Sequence, residues 1–318
     1  MAKETVLVTG GSGFLGRHLG RALMSEARVI LAASNNKVNL EAAQRTGCEV
    51  LPLDVVNIES VRDVFHESAP DVVIHAAATK FVDLAERHPL ECVDVNVTGS
   101  QNVLRVAVEL GVGTVVGVST DKASPPVRNL YGLTKALMER TFCAMDGKTD
   151  AKFTCVRYGN VAWSTGSVLP IWKRMHEERA VIGSTGPDMR RFFFGIEEAV
   201  ALIKVAMKNI DLVRGKVLGR EMKAALIRDL LDVWIREKGG RWEQIEGRPG
   251  ERDDELLVGD LELPYATKLT FDGIDHYLIS FNEEVSEPLS EAISSATAVR
   301  LSDEEMVTLL DSPPEEDT

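Results

Sequence analysis

The sequence predicts an α/β fold: a Rossmann-type doubly wound parallel sheet with a smaller, interleaved C-terminal lobe. Three observations carry that expectation. A β-branched run, Thr5–Thr9, is followed by Gly10-Gly11-Ser12-Gly13-Phe14-Leu15-Gly16 and an amphipathic stretch reaching Met24. Apolar strand-like runs then alternate with helical patterns through the first half, which argues for parallel strands covered on both faces. From Trp163 onward the alternation breaks down.

In order, Thr5–Thr9 reads as a strand and the glycines as a tight turn into a helix. Gly11, Gly13 and Gly16 fit G-x-G-x-x-G, and Gly10, Gly13 and Gly16 fit G-x-x-G-x-x-G. Such glycines let backbone N–H groups approach a pyrophosphate at a helix N-terminus, so the turn through Phe14 and Leu15 is expected to hold a dinucleotide. The next strand, Arg28–Ala33, runs into Ser34-Asn35-Asn36-Lys37, without the acidic residue that would hold the ribose 2′-hydroxyl of NAD. Ser34, Asn35 and Lys37 suit a 2′-phosphate, which favours NADP and leaves NAD open; a merely polar loop is the plainer reading.

Residues 50–53 form a strand ending at Asp54-Val55, expected beside the cofactor, and 58–67 a helix. A strand over 71–75 runs into Ala76-Ala77-Ala78, and 89–110 is one long helical pattern. Strands over 114–119 and 153–157 flank a helix over Leu130–Met145. Ligands in such sheets bind beyond the carboxyl ends of the strands, so residues 76–80, 119–122 and 158–161 should converge. Residues 167–179, Ile196–Lys208 and Ile227–Lys238 read as helices of a lobe that receives substrate. The expected division is a dinucleotide-binding domain over 1–162, the substrate lobe over 163–282 and an acidic tail over 283–318.

The net charge of −13 is uneven: from residue 279 onward eleven acids face one base, Arg300, leaving −10 there and −3 elsewhere. The near-balanced body gives no electrostatic case for a nucleic-acid partner. The ending, residues 311–318, is expected to be disordered. Four cysteines show no C-x-x-C, and six scattered histidines give no metal-like spacing. No apolar run approaches the roughly 18 residues of a membrane span. A cytoplasmic protein without a membrane partner is expected.

The densest chemistry lies in the seventeen residues from Ser119-Thr120-Asp121-Lys122 to Tyr131 and Lys135. Four-residue spacing puts Tyr131 and Lys135 on one helical face. A phenol near an ammonium ionises below its usual pKa of about 10. With a carboxyl and a second lysine beside it, the set suggests a sequence of proton transfers rather than a single hydride step. Turn capping by Asp121 and simple solvation of Lys122 are the plainer readings. Their adjacency, ten residues before Tyr131, argues against both.

These motifs resemble those of the extended short-chain dehydrogenase/reductase superfamily. Within it they resemble the inverting UDP-N-acetylglucosamine 4,6-dehydratases of pseudaminic acid-type pathways and the CapD-like proteins of polysaccharide biosynthesis. Besides the glycine turn, the resemblance rests on His75-Ala76-Ala77-Ala78-Thr79-Lys80, Pro89-Leu90-Glu91-Cys92 and Ser119-Thr120-Asp121-Lys122-Ala123. It continues through Asn129-Leu130-Tyr131-Gly132-Leu133-Thr134-Lys135, Arg157-Tyr158-Gly159-Asn160-Val161 and Arg248-Pro249-Gly250-Glu251, covering nearly the whole chain.

The resemblance implies a mechanism. Tyr131, its phenolate favoured by Lys135, takes the proton of the sugar 4-hydroxyl as hydride passes to NADP+, and Thr120 orients the 4-oxygen. Lys122, its pKa lowered by burial and neighbouring charge, removes the C5 proton. Asp121, kept protonated, donates to the departing 6-hydroxyl; hydride returns to C6 and C5 is reprotonated on the opposite face. Cofactor contacts are implied at Ala76, Ala77, Ala78, Lys80, Asn96, Tyr131, Lys135 and Tyr158. Substrate contacts are implied at Lys80, Thr120, Asn160, Ser167 and Val168, with Arg191 and Arg248 on the diphosphate and Glu251 on a ribose hydroxyl. Arg190, beside Arg191, leaves open which of the two points inward.

The chain also departs from that family. Phe81 stands where histidine is usual, Thr165 where arginine is usual, and Arg252-Asp253-Asp254 replaces Lys-Leu-His ahead of Glu255, which the pattern shares. Such changes bear on the sugar's identity more than on the reaction type. A nucleotide-sugar 4-epimerase, rotating the 4-keto intermediate instead of eliminating water, is the first alternative. A non-catalytic NADP-sensing protein is the second, although it would be expected to have lost one of these groups. Relatives form dimers through paired helices, so a homo-oligomer is expected.

Overall fold

The computed structural model describes residues 3–247 and 251–313. The first six strands are β1 (Thr5–Thr9), β2 (Arg28–Ala33), β3 (Glu49–Pro52), β4 (Val72–His75), β5 (Thr114–Val118) and β6 (Lys152–Arg157). Then come β7 (Asn160–Val161), β8 (Val181–Ser184), β9 (Arg190–Phe194), β10 (Val217–Arg220) and β11 (Lys223–Leu226). The last are β12 (Arg241–Gln244), β13 (Leu256–Val258), β14 (Ala266–Phe271), β15 (Ile274–Ile279) and β16 (Ile293–Ser294).

Nine strands form one sheet in the order β14-β15-β10-β6-β5-β4-β1-β2-β3. All neighbours from β3 to β10 run parallel, and β15 and β14 close the edge antiparallel. The 3-2-1-4-5-6 order is that of a doubly wound sheet, with its switch point where β1 meets β4. Val6, Leu7 and Val8 are wholly buried because helices cover both faces, which is why these strands read as unbroken apolar runs.

On one face α1 (Phe14–Leu23) packs with α2 (Asn36–Thr46) and, across the sheet's centre, with a later helix, 196–208. On the other lie α3 (Ile58–Ser68), α4 (Val82–Arg87), α5 (Pro89–Val93), α6 (Gly99–Glu109) and α7 (Leu130–Met145). The pattern over 89–110 is one helical path, but a π-helical turn, Asp94–Thr98, interrupts it between α5 and α6. Such turns commonly mark functional positions, and this one carries Asn96.

The remaining helices are α8 (Val168–Arg179), α9 (Ile196–Lys208), α10 (Ile210–Val213), α11 (Ile227–Lys238) and α12 (Asp303–Asp311). The second half is interleaved, since β10, β14 and β15 return to the main sheet while β7, β9 and β11 make a small separate one. Its own core gathers Trp163, Trp172 and Trp234 with Leu230, Leu231 and Phe193.

The segment expected from residue 283 as an acidic tail is instead built into this lobe. β16 pairs antiparallel with β13, and Arg300 bridges to Ala224. Ser302 and Glu305 form a capping box for α12, whose Met306 and Leu310 are buried in the second core. Its acids face Lys223, Arg236 and Lys238 across the groove to α11 and β11. Disorder was expected over 311–318, but Asp311 ends α12 and pairs with Lys238, while 314–318 lie outside the described residues.

Candidate active site

Two adjoining cavities open beyond the carboxyl ends of the strands. The first is walled by the glycine turn (Gly10, Gly13, Phe14, Leu15), by Ala76, Ala77 and Ala78, and by Thr120, Tyr131, Lys135 and Tyr158. Gly10 has φ +67°, and a Cβ there would come within 2.7 Å of the Ala77 backbone nitrogen, so only glycine lets the β1 and β4 ends meet this closely. Gly13 precedes α1 without a side-chain cap, and the first turn carries no acid. The helix's free N–H groups therefore face the cavity, which fits a pyrophosphate.

The second cavity lies toward the C-terminal lobe. Its walls include Ser167, Val168, Trp172 and Phe193, with Arg191, Glu251 and Glu255 as polar groups. Lys80, Phe81, Lys122, Asn160, Val161, Gly166 and Ser167 border both cavities. Phe81 sits over Gly166, where any Cβ would collide with its ring, so the two residues form one dividing wall.

Lys122 lies on that seam, with Asp121 next to it in a short turn after β5. Asp121 is wholly buried. Its Oδ1 accepts from the Thr120 hydroxyl at 2.9 Å and from Lys122 Nζ at 3.0 Å, while Oδ2 has no partner among the described residues. Lys122 Nζ also lies 3.4 Å from Asn160 Oδ1 and 3.6 Å from Glu255 Oε1. Glu255 Oε1 is in turn 3.9 Å from Arg191 Nε, and Glu255 Oε2 is buried without a partner. The group is a chain of alternating charge: Asp121, Lys122, Glu255, Arg191.

Tyr131 and Lys135 sit one turn apart at the start of α7, both buried and both lining the first cavity. Asn129 caps this helix by accepting from the Gly132 N–H at 2.8 Å. A Cβ at residue 132 would lie 2.2 Å from the Lys122 carbonyl oxygen, so glycine there lets α7 abut the Asp121–Ala123 turn.

The electrostatics differ from the sequence expectation in two respects. Burial pushes Tyr131 up to about 12, and the cation that most opposes this is Lys122 rather than Lys135, with the Thr120 hydroxyl helping. Burial pulls Lys135 down to about 8. Lys122 was expected to be lowered. Burial does act that way, but the Asp121 and Glu255 carboxylates outweigh it and the opposing charge of Arg191, so its pKa is raised. At neutral pH Lys122 is therefore an ammonium.

Several other expected residues take supporting positions. Asn96 is buried and staples the β4 loop to α7: its Oδ1 accepts from Thr79 N at 2.8 Å, and its Nδ2 donates to Thr79 O and Thr134 Oγ1 at 3.0 Å. Asn35 spends its Oδ1 capping α2. Lys37 is exposed and 3.9 Å from Glu41, and Ser34 is exposed too. Asp54 Oδ1 accepts from Val56 N within its own turn, and Val55 is buried against Gly99. None of these lines either cavity.

Gly16 lies behind the turn, packed on Gly11. Tyr158 stacks on Phe194 at 5.6 Å. Arg191 is the inward arginine; Arg190 pairs with Asp254 at 3.1 Å. Glu251 accepts from Thr185 Oγ1 at 3.0 Å. Arg248 lies outside the described residues.

Sequence reasoning passed over Arg17 and Glu255. Arg17 lines the first cavity one turn into α1, and its Nη1 donates to the Ser12 carbonyl at 2.8 Å. Its position beside the glycine motif was a readable signal. Glu255 keeps the last glutamate of the motif segment in which it lies, but nothing near it in sequence points to Lys122.

A doubly wound sheet with a glycine turn, a Tyr-Lys pair and an acid–lysine pair at its carboxyl edge defines an extended short-chain dehydrogenase/reductase. The chain belongs to the polysaccharide biosynthesis protein family, whose model matches residues 6–271. It is 31% identical over 287 residues to a UDP-N-acetylglucosamine 4,6-dehydratase (inverting) of Campylobacter jejuni, covering 87% of this chain and 83% of that protein. It is also 31% identical over 331 residues to a UDP-glucose 4-epimerase of Rickettsia conorii, covering 96% and 95%. Among solved structures, Pen from Bacillus thuringiensis superposes with a TM-score of 0.88 at 28% identity, covering 97% of each chain. No helix among the described residues is long and apolar enough to cross a membrane.

Proposed function

We propose that this protein is a nucleotide-sugar 4,6-dehydratase that inverts C5, acting on UDP-N-acetylglucosamine or a related nucleotide sugar. The observation that carries the reading is the Asp121–Lys122 ion pair, whose lysine borders both cavities while Tyr131 lines the first. An epimerase needs one proton-transfer group at C4. An elimination across C5 and C6 needs an acid and a base as well, and this seam offers them.

The first cavity suits a nicotinamide dinucleotide, which when bound would supply the hydride acceptor and later the donor. Among the described residues no carboxylate lines that cavity and Arg17 does, which supports NADP over NAD. The chain's own groups divide the remaining work. Tyr131 takes the proton from the 4-hydroxyl while Thr120 holds the 4-oxygen. Proton transfer within the Lys122–Asp121 pair, 3.0 Å apart, leaves Lys122 a neutral amine that takes the C5 proton acidified by the new 4-ketone, and leaves Asp121 an acid. Asp121, in its acid form, protonates the leaving 6-hydroxyl through the free Oδ2. Arg191 grips the diphosphate from the second cavity.

The two readings separate in one experiment. Incubation with UDP-N-acetylglucosamine in D2O, read by proton NMR, should give a C6 methyl signal with deuterium at C5. A 4-epimer with hydrogen retained at C5 would overturn the dehydratase reading in favour of the epimerase, which the Rickettsia relative keeps in play.

Self-association is part of the proposal. Leu90 of α5 and Leu133 and Leu137 of the neighbouring α7 stay exposed, an apolar face suited to a second copy. The four cysteines are free and buried, in keeping with a reducing, cytoplasmic setting.

A further inference from the structure

The acid–base pair legible in the sequence is part of a larger group, and its third member comes from far along the chain. Glu255 lies just before β13, and its backbone is fixed on both sides by Ser295. The Glu255 N–H donates to Ser295 Oγ at 2.9 Å, and the Glu255 carbonyl accepts from Ser295 N at 2.9 Å. The side chain is buried and borders the second cavity. Oε1 stands between Lys122 and Arg191, at 3.6 and 3.9 Å, whereas Oε2 has no hydrogen-bond partner among the described residues. A buried carboxylate left half satisfied is costly, and such atoms in native structures call for an explanation. At a cavity wall the economical one is a ligand.

We propose that Glu255 is a positioning residue of the proton-transfer machinery: it holds Lys122 at the seam through Oε1 and receives a sugar hydroxyl on Oε2. The inference rests on the dehydratase reading and deepens it. The charged and titratable groups facing Lys122 are Asp121, Glu255, Arg191 and Tyr131, with Arg252 bearing on both carboxylates. Asp121 and Glu255 favour the ammonium and Arg191 disfavours it. With Glu255 neutralised, Asp121 alone opposes Arg191, and Lys122 gives up its proton at lower pH. A lysine that acts as a base works as the neutral amine, so its activity rises as pH passes its pKa. Neutralising Glu255 therefore moves that rising limb to lower pH.

The test compares the full-length wild type with Glu255→Gln and Glu255→Asp. The first readout is the rate of deuterium uptake at C5 of the nucleotide sugar across pH, resolved into kcat and KM, with thermal unfolding in parallel. Glu255→Gln should move the rising limb to lower pH by about one unit, lower kcat and raise KM several-fold, and leave the unfolding midpoint unchanged. Glu255→Asp should return the limb toward its wild-type position. An unmoved limb in Glu255→Gln, or a rate loss that merely follows unfolding, would overturn the proposal.

The second readout needs no substrate. Acylation of Lys122 by an amine reagent, followed by mass spectrometry at fixed pH, should be faster in Glu255→Gln and unchanged in Glu255→Asp. Equal acylation in all three would overturn the role of Glu255. A wild type that shows no C5 exchange, while its Lys122 still responds to Glu255→Gln, would instead overturn the dehydratase reading.

Discussion

Two buried charge groups stand close together in this protein, and they are finished differently. In one, Arg157 on β6 is clamped between two carboxylates. Its Nε and Nη2 donate to Glu139 of α7 at 2.9 and 2.7 Å, and its Nη1 and Nη2 donate to Glu262 at 2.8 Å. The Leu257 carbonyl takes a further bond at 2.9 Å, while Glu262 accepts from Ser124 Oγ and the Gly259 N–H at 3.0 Å. In the other group, Asp121 Oδ2 and Glu255 Oε2 are buried with no hydrogen-bond partner among the described residues, and Glu255 borders the second cavity. The segment 255–262 contributes one carboxylate to each. A buried charge group in which every hydrogen bond is made serves as frame; one with oxygens left open at a cavity is prepared for a ligand.

The largest stability effect should come from opening the closed group. Arg157→Met strands Glu139 and Glu262 in the interior, and loss of one partner from a buried ion group costs about 3–5 kcal/mol. Urea unfolding should show a correspondingly lower midpoint. An unchanged midpoint would mean that the closed group is not the frame.

Lys135 sharpens the contrast, because it is a buried cation on the wall of the first cavity that the fold tolerates at a cost. Its pKa falls from 10.5 unfolded to about 8 folded. Between those values the unfolded chain holds more protons than the folded one, so stability rises with pH there, and the penalty is full below pH 8. Lys135→Met should therefore stabilise the protein at pH 7 by on the order of 2 kcal/mol. The gain should fade toward pH 10.5 while activity is lost; thermal unfolding at several pH values checks it. A destabilised Lys135→Met at pH 7 would remove the distinction drawn here.

Much of this could be read from the sequence, and the division follows chain distance. The glycine turn, the convergence of the β4, β5 and β6 ends, and the Tyr131–Lys135 spacing are local patterns, and the structure places them together. The C-terminal lobe was obscure because its contacts are long-range: β10, β14 and β15 reach back to the main sheet, and Glu255 reaches Lys122 across more than a hundred residues. The expected lowering of the Lys122 pKa failed for that reason, since the local sequence shows Asp121 but not Glu255.

Other misreadings had visible signals. Asn35 sits where a helix cap sits and does cap α2. The segment 283–313 was weighed by its charge alone, yet Ser302 and Glu305 spell a capping box, and Met306 and Leu310 repeat at helical spacing.

A smaller effect is expected at the far end of the open group. Arg191→Lys keeps the charge but loses the planar fork, so KM for the nucleotide sugar should rise about 10-fold while kcat changes less. A fall in kcat with KM unchanged would place Arg191 in the chemistry instead of the diphosphate grip.

The central claim, that Tyr131 begins the reaction and the open group completes the elimination, is tested most directly by Asp121→Asn. Single-turnover mixing of this variant with cofactor and nucleotide sugar would be followed by the absorbance of the reduced nicotinamide. The account predicts that the reduced form accumulates and that no C6-methyl product appears, because C4 oxidation proceeds and loss of the 6-hydroxyl stalls. Full conversion at the wild-type rate, with no accumulation, would contradict it.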